Sequence, residues 1–323
     1  METRALGTSE VKITPIIMGT WQAGKSRWVG IEDAETIKGL RAGFEAGITT
    51  VDTAELYGKG HSEQIVGQAL AEVRDQLVYA TKVCANHLKY DQVIEACEGS
   101  LKNLKTDYID LYQIHWPSGT LGSEVVPIEE TMSALNTLKE QGKIRAIGVS
   151  NFSRSQLAEA SQYGRIDSLQ PPYSLFWRQV EQDAMPFCVE HNISIIGYSS
   201  LAQGLLTGKF DPEHKFEEGD HRSKNKLFNG DNYQRAQQAL AQLRPIAERH
   251  QCTLAQLSLA WLMSQPQTNA IAGFRNSAQA IDNAQAFDVK LSADELQEID
   301  QIGRLVTDHL DDNPVMWGLS GTA

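Results

Sequence analysis

Ile16-Ile17-Met18-Gly19-Thr20-Trp21 is a short apolar run that closes on a single glycine. It reads as a buried strand, and the residues just after it decide the fold. A doubly wound dinucleotide-binding sheet places G-x-G-x-x-G directly after its first strand. Only Gly19 is present here. Gly58-Lys59-Gly60 also fails, because Glu63 stands where the third glycine belongs. Working outward, similar apolar or β-branched runs recur at 49–52, 78–82, 109–115, 144–150, 168–170, 194–198 and 269–272. Segments of helical period lie between them. Thr36, Ile37, Leu40 and Phe44 trace one face, Ile65, Val66, Ala69 and Leu70 another, and Thr131, Leu135 and Leu138 a third. Strand starts are roughly 25–35 residues apart, the length of a βα unit, except between the last two. Eight such units without the fingerprint predict an α/β protein of the (β/α)8, or TIM, barrel class.

Residues 4–14 read as a hairpin, which in a barrel would plug the bottom face. The polar segment 199–232 reads as a large loop after the seventh strand, on the face where barrels keep their reactive groups. Two extra helices are expected, at about 233–250 and about 292–303, and Pro245 predicts a kink or a later start for the first. Thr253 reads as an N-cap for a helix whose Leu254, Leu257 and Trp261 face inward. No linker or internal repeat interrupts the pattern, so residues 1–323 are expected to form one domain.

The 323 residues are 41% hydrophobic and 22% charged, which suits a folded globular chain. The formal charge is −12, from 29 basic and 41 acidic residues. That excess repels nucleic acid and anionic lipid, so neither is an expected partner. A polyanionic cofactor would need helix N-termini and a few fixed cations. Cys84, Cys97, Cys188 and Cys252 form no C-x-x-C pair and read as reduced thiols of a cytoplasmic protein. Met1 to Pro15 lacks a long apolar core and carries Glu2 and Glu10, so no secretory leader is expected. No apolar run is long enough to span a membrane. The histidines include no H-x-H pair, so no metal site is expected. Gly148-Val149-Ser150-Asn151-Phe152 lacks the second glycine of G-x-S-x-G, which argues against an esterase.

Asp52, Lys82 and His115 close the second, third and fourth strands, and Tyr57 lies soon after Asp52 in the same loop. Taken singly, a strand-end aspartate is usually a turn residue and a lysine a solvated charge. Three neighbouring strand ends in a barrel, however, converge on one spot. A phenol is a weak acid at neutral pH, and an adjacent cation lowers its pKa. Lys82 is expected to be that cation, with Asp52 keeping it charged. His115 can donate a hydrogen bond to a carbonyl oxygen. The set describes proton donation to an oxygen on which negative charge develops, as when hydride reaches a carbonyl carbon.

Beyond these residues, the chain resembles the aldo-keto reductase superfamily from about Leu6 to about Ile302. The likeness rests on Gly19-Thr20-Trp21, Asp52-Thr53-Ala54-Glu55-Leu56-Tyr57-Gly58, Leu111-Tyr112-Gln113-Ile114-His115-Trp116, Gly142-Lys143-Ile144-Arg145-Ala146-Ile147-Gly148-Val149-Ser150-Asn151-Phe152, the stretch from Tyr198 to Lys209, and Gly273-Phe274-Arg275-Asn276. The resemblance implies a barrel that reduces small carbonyl compounds with NADPH/NADP+, with Tyr57 as general acid, Lys82 and Asp52 tuning it, and His115 orienting the carbonyl. It also implies cofactor contacts from Gly19, Thr20, Trp21 and Asp52. Ser150, Asn151 and Gln170 would hold the carboxamide, and Tyr198 would stack on the nicotinamide. Ser199, Leu201, Gln203, Gly204 and Lys209 would line the pyrophosphate path, and Gly273, Arg275, Gln279 and Asn283 the adenosine end. Arg275 would pair with a 2′-phosphate, favouring NADPH over NADH. Ser200 and Ala272 stand where the superfamily often has proline. Trp21, Trp28, Trp116, Phe176, Trp177 and Trp317 are candidates for an apolar substrate cleft. The alternative is a cofactor-sensing channel subunit with slow residual chemistry, as some superfamily members are.

Overall fold

The computed structural model describes residues 1–26 and 28–316; Trp317 lies outside them. A two-stranded hairpin, β1 (Arg4–Ala5) and β2 (Lys12–Ile13), precedes eight parallel strands. These are β3 (Ile16–Gly19), β4 (Thr50–Asp52), β5 (Val78–Val83), β6 (Ile109–Ile114), β7 (Ile144–Ser150), β8 (Ser168–Gln170), β9 (Ser194–Gly197) and β10 (Thr268–Gly273). β10 pairs back onto β3, so the sheet closes as the expected TIM barrel. Each of the eight runs marked in the sequence is a strand, with ends moved by a residue at most.

Both faces of these strands are buried, which explains their near-continuous apolar character. Ile17, Ala80, Leu111, Ala146, Ile196 and Ile271 form one cluster, and the hairpin residues Leu6, Val11 and Ile13 pack onto it as the bottom plug. Arg4 ties the hairpin down by donating to the carbonyls of Met263 (3.1 Å) and Thr268 (2.7 Å). Ile16, Met18, Val51, Tyr79 and Tyr112 belong to the larger core between the strands and the helices.

The two extra helices span Gly230–Arg249 and Ala293–Thr307 and pack on each other. The first neither starts after Pro245 nor ends there. Leu240, Leu243, Ile246 and Ala247 are buried around the proline, and that packing outweighs one missing backbone hydrogen bond. Thr253 caps Leu254–Met263, accepting from the Gln256 amide at 3.1 Å. That helix is buried on every side, beyond the three inward residues expected. No helix among the described residues is long and apolar enough to cross a membrane.

Strand register sets the site. Asp52 pairs with Ala80, and Lys82 with Gln113. Ala80 and Leu111 belong to the barrel-interior cluster. The two-residue period therefore turns Asp52, Lys82 and Gln113 inward at the C-terminal mouth. Ser150 pairs with Gln170, and Gly19 with both Asp52 and Gly273, on the same rim. Gly148 makes room for them, since a Cβ there would lie 2.3 Å from the Ser168 hydroxyl and 2.9 Å from the Gln113 side chain.

Candidate active site

The charged centre of the mouth is a buried pair. The Lys82 ammonium is fully enclosed and donates to Asp52 Oδ1 at 2.7 Å and to the Thr53 carbonyl at 2.7 Å. Its third contact is the Tyr57 hydroxyl at 3.4 Å. Gln170 donates to the other Asp52 oxygen at 2.9 Å, so both carboxylate oxygens are held. The His115 ring meets the Tyr57 ring edge-on, with centroids 5.7 Å apart. All four residues singled out in the sequence thus meet at one point.

Tyr57 sits on a loop pinned from behind. A Cβ on Gly24 would lie 2.6 Å from the Tyr57 backbone carbon, and one on Gly58 2.5 Å from the Gly24 carbonyl oxygen. Gly58 also has φ +64°, a left-handed conformation that suits glycine. Two glycines therefore let the Tyr57 loop lie against the short helix Trp21–Gly24, and the phenol inherits its position from that backbone contact.

Electrostatics correct one expectation. Burial, then the Asp52 charge, then Cys84, push the Tyr57 phenol well above its ordinary pKa. Lys82 was expected to pull it down, but its charge is already matched by Asp52 at the shorter distance. Burial lowers the Lys82 pKa while Asp52 opposes the shift. Burial, with Lys82 adding to it, holds His115 well below the usual imidazole value, so the ring is neutral. The resting site holds a protonated phenol and an uncharged imidazole. The His115 Nδ1 is buried and has no hydrogen-bond partner among the described residues.

Of the residues expected to hold a cofactor, Thr20, Ser150, Asn151, Gln170 and Tyr198 are hydrogen-bonded into this centre. Thr20 donates its hydroxyl and its amide to the Asp52 carbonyl, at 2.9 and 3.1 Å. The Asn151 amide donates to the His115 carbonyl (3.1 Å) and to the Ser150 hydroxyl (3.0 Å), and its oxygen accepts from the Tyr198 hydroxyl (2.9 Å). The Ser150 hydroxyl donates to the Gln170 carbonyl at 2.8 Å. From Ser199 onward the chain turns through left-handed residues at Ser199, Ala202, Gln203 and Gly204, between half-buried Leu201 and exposed Lys209. The Gln203 amide nitrogen is buried without a partner among the described residues, while its oxygen accepts from Asn225 at 3.1 Å. Asn276 caps the helix Ser277–Gln285 by accepting from the Gln279 amide (3.0 Å), and the Gln279 side chain accepts from the Arg275 amide (2.8 Å). Asn283 donates to the Gly273 carbonyl at 3.1 Å. Ser200 satisfies itself on the Gly197 carbonyl (2.9 Å), and Ala272 runs in register with Met18 in the ladder.

The aromatic set divides. Trp21 lies 6.5 Å from the Tyr57 ring and packs edge-on against Trp28 at 5.3 Å, with His221 against both. Trp116 packs with Ala85 and Val315. Phe176 and Trp177 are fully buried core residues, and the Trp177 indole donates to the Pro314 carbonyl at 3.1 Å.

Sequence reading missed Gln113, whose side chain accepts from Gln170 at 3.4 Å. Its position two residues before His115 on the same strand face was the available signal. It also missed His221 and Arg222. Both lie in a loop whose order reflects no local period.

The Aldo/keto reductase family profile matches residues 15–304. The chain is 34% identical over 315 residues to an NADH-specific methylglyoxal reductase of Escherichia coli, covering 90% of this chain and 95% of that protein. Among solved structures it superposes on a glycerol dehydrogenase from Gluconobacter oxydans with TM-score 0.87 and 31% identity, covering 97% of this chain and 98% of the other. A Klebsiella pneumoniae aldo-keto reductase solved with NADPH gives TM-score 0.76 and 28% identity, over 99% of this chain and 100% of the other. Fold, site geometry and a profile matched across the whole barrel agree, and the chain belongs to the aldo/keto reductase family, a family of oxidoreductases.

Proposed function

We propose that this protein reduces small aldehydes and ketones to alcohols with NADPH, acting as one catalytic unit over residues 1–323. The observation that carries the reading is the chain of contacts from Gln170 through Asp52 and Lys82 to the Tyr57 hydroxyl, with His115 across the ring. Tyr57 is the proton donor. Its raised pKa keeps the proton in place until negative charge develops on a carbonyl oxygen nearby. Neutral His115 donates a hydrogen bond to that oxygen and fixes its direction. The Lys82 ammonium, 3.4 Å from the hydroxyl, offsets part of the charge left on the phenolate once the proton has moved, and Asp52 keeps that ammonium charged.

A nicotinamide dinucleotide fits the rim. Ser150, Asn151 and Gln170 would hold the carboxamide, Tyr198 would support the ring, and Ser199, Leu201, Gln203, Gly204 and Lys209 would line the pyrophosphate. Gly273, Arg275, Gln279 and Asn283 would take the adenosine end, with Gly19, Thr20 and Trp21 closing the side wall. When bound, the cofactor supplies the hydride. A relative specific for NADH and a neighbour holding NADPH show that the family does not choose the nucleotide. Arg275 argues for NADPH here, because its guanidinium forms no salt bridge among the described residues and precedes a capped helix N-terminus. Trp21 and Trp28 supply an apolar wall suited to an aldehyde. Buried reduced thiols at Cys84, Cys97 and Cys188 suit a cytoplasmic location.

Tyr57→Phe tests the reading. It should retain NADPH affinity, read by nicotinamide fluorescence, while turnover of a simple aldehyde falls by about 10²-fold or more. A variant keeping most of its rate would end the acid assignment. Wild-type protein that oxidised bound NADPH once, over minutes, with no multiple turnover would favour the channel-subunit alternative.

A further inference from the structure

Glu55 stands two residues before Tyr57, outside the acid–base set described above. Its Oε1 accepts from the Cys84 backbone amide at 2.6 Å and lies 3.1 Å from His87 Nδ1. Cys84 is the first residue past β5, the strand that carries Lys82. One carboxylate oxygen thus joins the loop of the phenol to the strand of the ammonium.

Lys82 grips that loop at its two ends. It donates to Asp52 and to the Thr53 carbonyl at 2.7 Å each, and it meets the Tyr57 hydroxyl at 3.4 Å. Between those ends, Leu56 is exposed and Glu55 is the residue whose side chain returns to the end of β5. Cys84 is 7% exposed, so its amide depends on a protein acceptor, and Glu55 is that acceptor. The same oxygen spans the turn that follows, which the His87 amide closes on the Cys84 carbonyl at 3.0 Å. Ala85, within that turn, packs on Trp116 beside His115. The Glu55 charge is not among the causes that raise the Tyr57 phenol, which are burial, Asp52 and Cys84. Its influence on Tyr57 runs through position rather than through its field.

We propose that Glu55 is a positioning residue for proton transfer, clamping the Tyr57 loop to the turn after β5 and so fixing the phenol hydroxyl against the Lys82 ammonium. This rests on the reductase reading above and deepens it. A misplacement of about 1 Å can cost about 10²-fold in rate. The clamp needs an acceptor oxygen at the right reach and no charge. Glutamine can therefore replace Glu55, whereas aspartate, one methylene shorter, cannot.

Turnover of a simple aldehyde at saturating NADPH, set beside the NADPH dissociation constant from nicotinamide fluorescence of the full chain, tests it. Glu55→Ala should lower kcat by about tenfold or more and leave NADPH affinity within a factor of about two. Glu55→Asp should be slowed by about fivefold or more, although its charge is kept. Glu55→Gln should stay within about threefold of the wild-type kcat, although its charge is lost. A clamp that served the fold alone would lower cofactor affinity and rate together. Parallel loss of both in Glu55→Ala overturns the proposal, as does a kcat within about twofold of wild type. A Glu55→Gln variant as slow as Glu55→Asp overturns it too, because the charge and not the reach would then matter. That last comparison stands by itself if Glu55→Ala does not fold. Wild-type protein that reduced no carbonyl would end the functional reading and this inference with it. Wild-type protein that turned over while every Glu55 variant matched it would end this inference alone.

Discussion

Two buried aspartates sit at opposite ends of the barrel and use the same chemistry for different ends. Asp52, at the C-terminal end of β4, is held by Lys82 at 2.7 Å and Gln170 at 2.9 Å. Asp110, near the start of β6, accepts from Arg74 at 2.8 Å, from the Tyr79 amide at 2.9 Å and from Arg145 at 3.0 Å. At the bottom, the cations are arginines stacked on tyrosines, with Arg74 4.3 Å from the Tyr79 ring centre and 4.0 Å from that of Tyr108. Every charged contact there closes on protein. At the top, the cation is a fully buried lysine whose last contact is a phenol, and buried polar atoms of Gln113 and His115 lack partners among the described residues. The bottom pair closes on protein groups that stay as they are, whereas the top pair ends on the hydroxyl of a phenol. A buried pair closed on inert partners is costly to break and serves the fold alone, and one that ends on an ionisable hydroxyl is available for chemistry.

The largest expected effect probes the top pair. Lys82→Met should lower carbonyl turnover by about 10²-fold or more. Removing the ammonium raises the phenol pKa further, so the alkaline limb of the rate profile should move to higher pH. An unmoved limb would make Lys82 a structural residue and erase the contrast between the two ends. At the bottom, Arg74→Ala should cost about 3 kcal/mol of stability, read by denaturant unfolding, with kcat unchanged. Loss of activity in folded Arg74→Ala protein would break the comparison from the other side. Arg145 is 54% exposed at its side chain, against 12% for Arg74, so Arg145→Ala should cost less than about 1 kcal/mol.

The smallest effect lies at the surface. Glu295 completes the cap of Ala293–Thr307 by accepting from the Ser292 amide (2.9 Å), and it pairs with His250 (2.8 Å). These contacts lower its pKa from 4.5 to about 2. A pKa depressed in the folded state means stability that is present above pH 4.5 and lost as pH falls towards 2. Glu295→Gln should cost about 1 kcal/mol at neutral pH and flatten that acid limb, measured as unfolding midpoint against pH. An unchanged acid limb would remove Glu295 as its cause.

Much of the molecule was legible in order along the chain. The strands at 16–19, 144–150 and 168–170 appear where their apolar runs stand, and Asp52, Lys82 and His115 sit at inward positions of the strand ends, because side-chain direction alternates with a fixed period. Gln113 obeys the same rule and could have been found by it. The burial of Phe176 and Trp177 could not, since both lie in a loop whose neighbours arrive from the far end of the chain.

What the sequence settled alone was the barrel, its plug and the residues on its rim, since these come from periodicity and from which residue ends each strand. Only the tertiary structure decided which way the acidity of Tyr57 is shifted and the company of Glu55. Both depend on desolvation and on charges brought near by distant segments, and the cost of burying a charge is set by everything that surrounds it rather than by its neighbours along the chain.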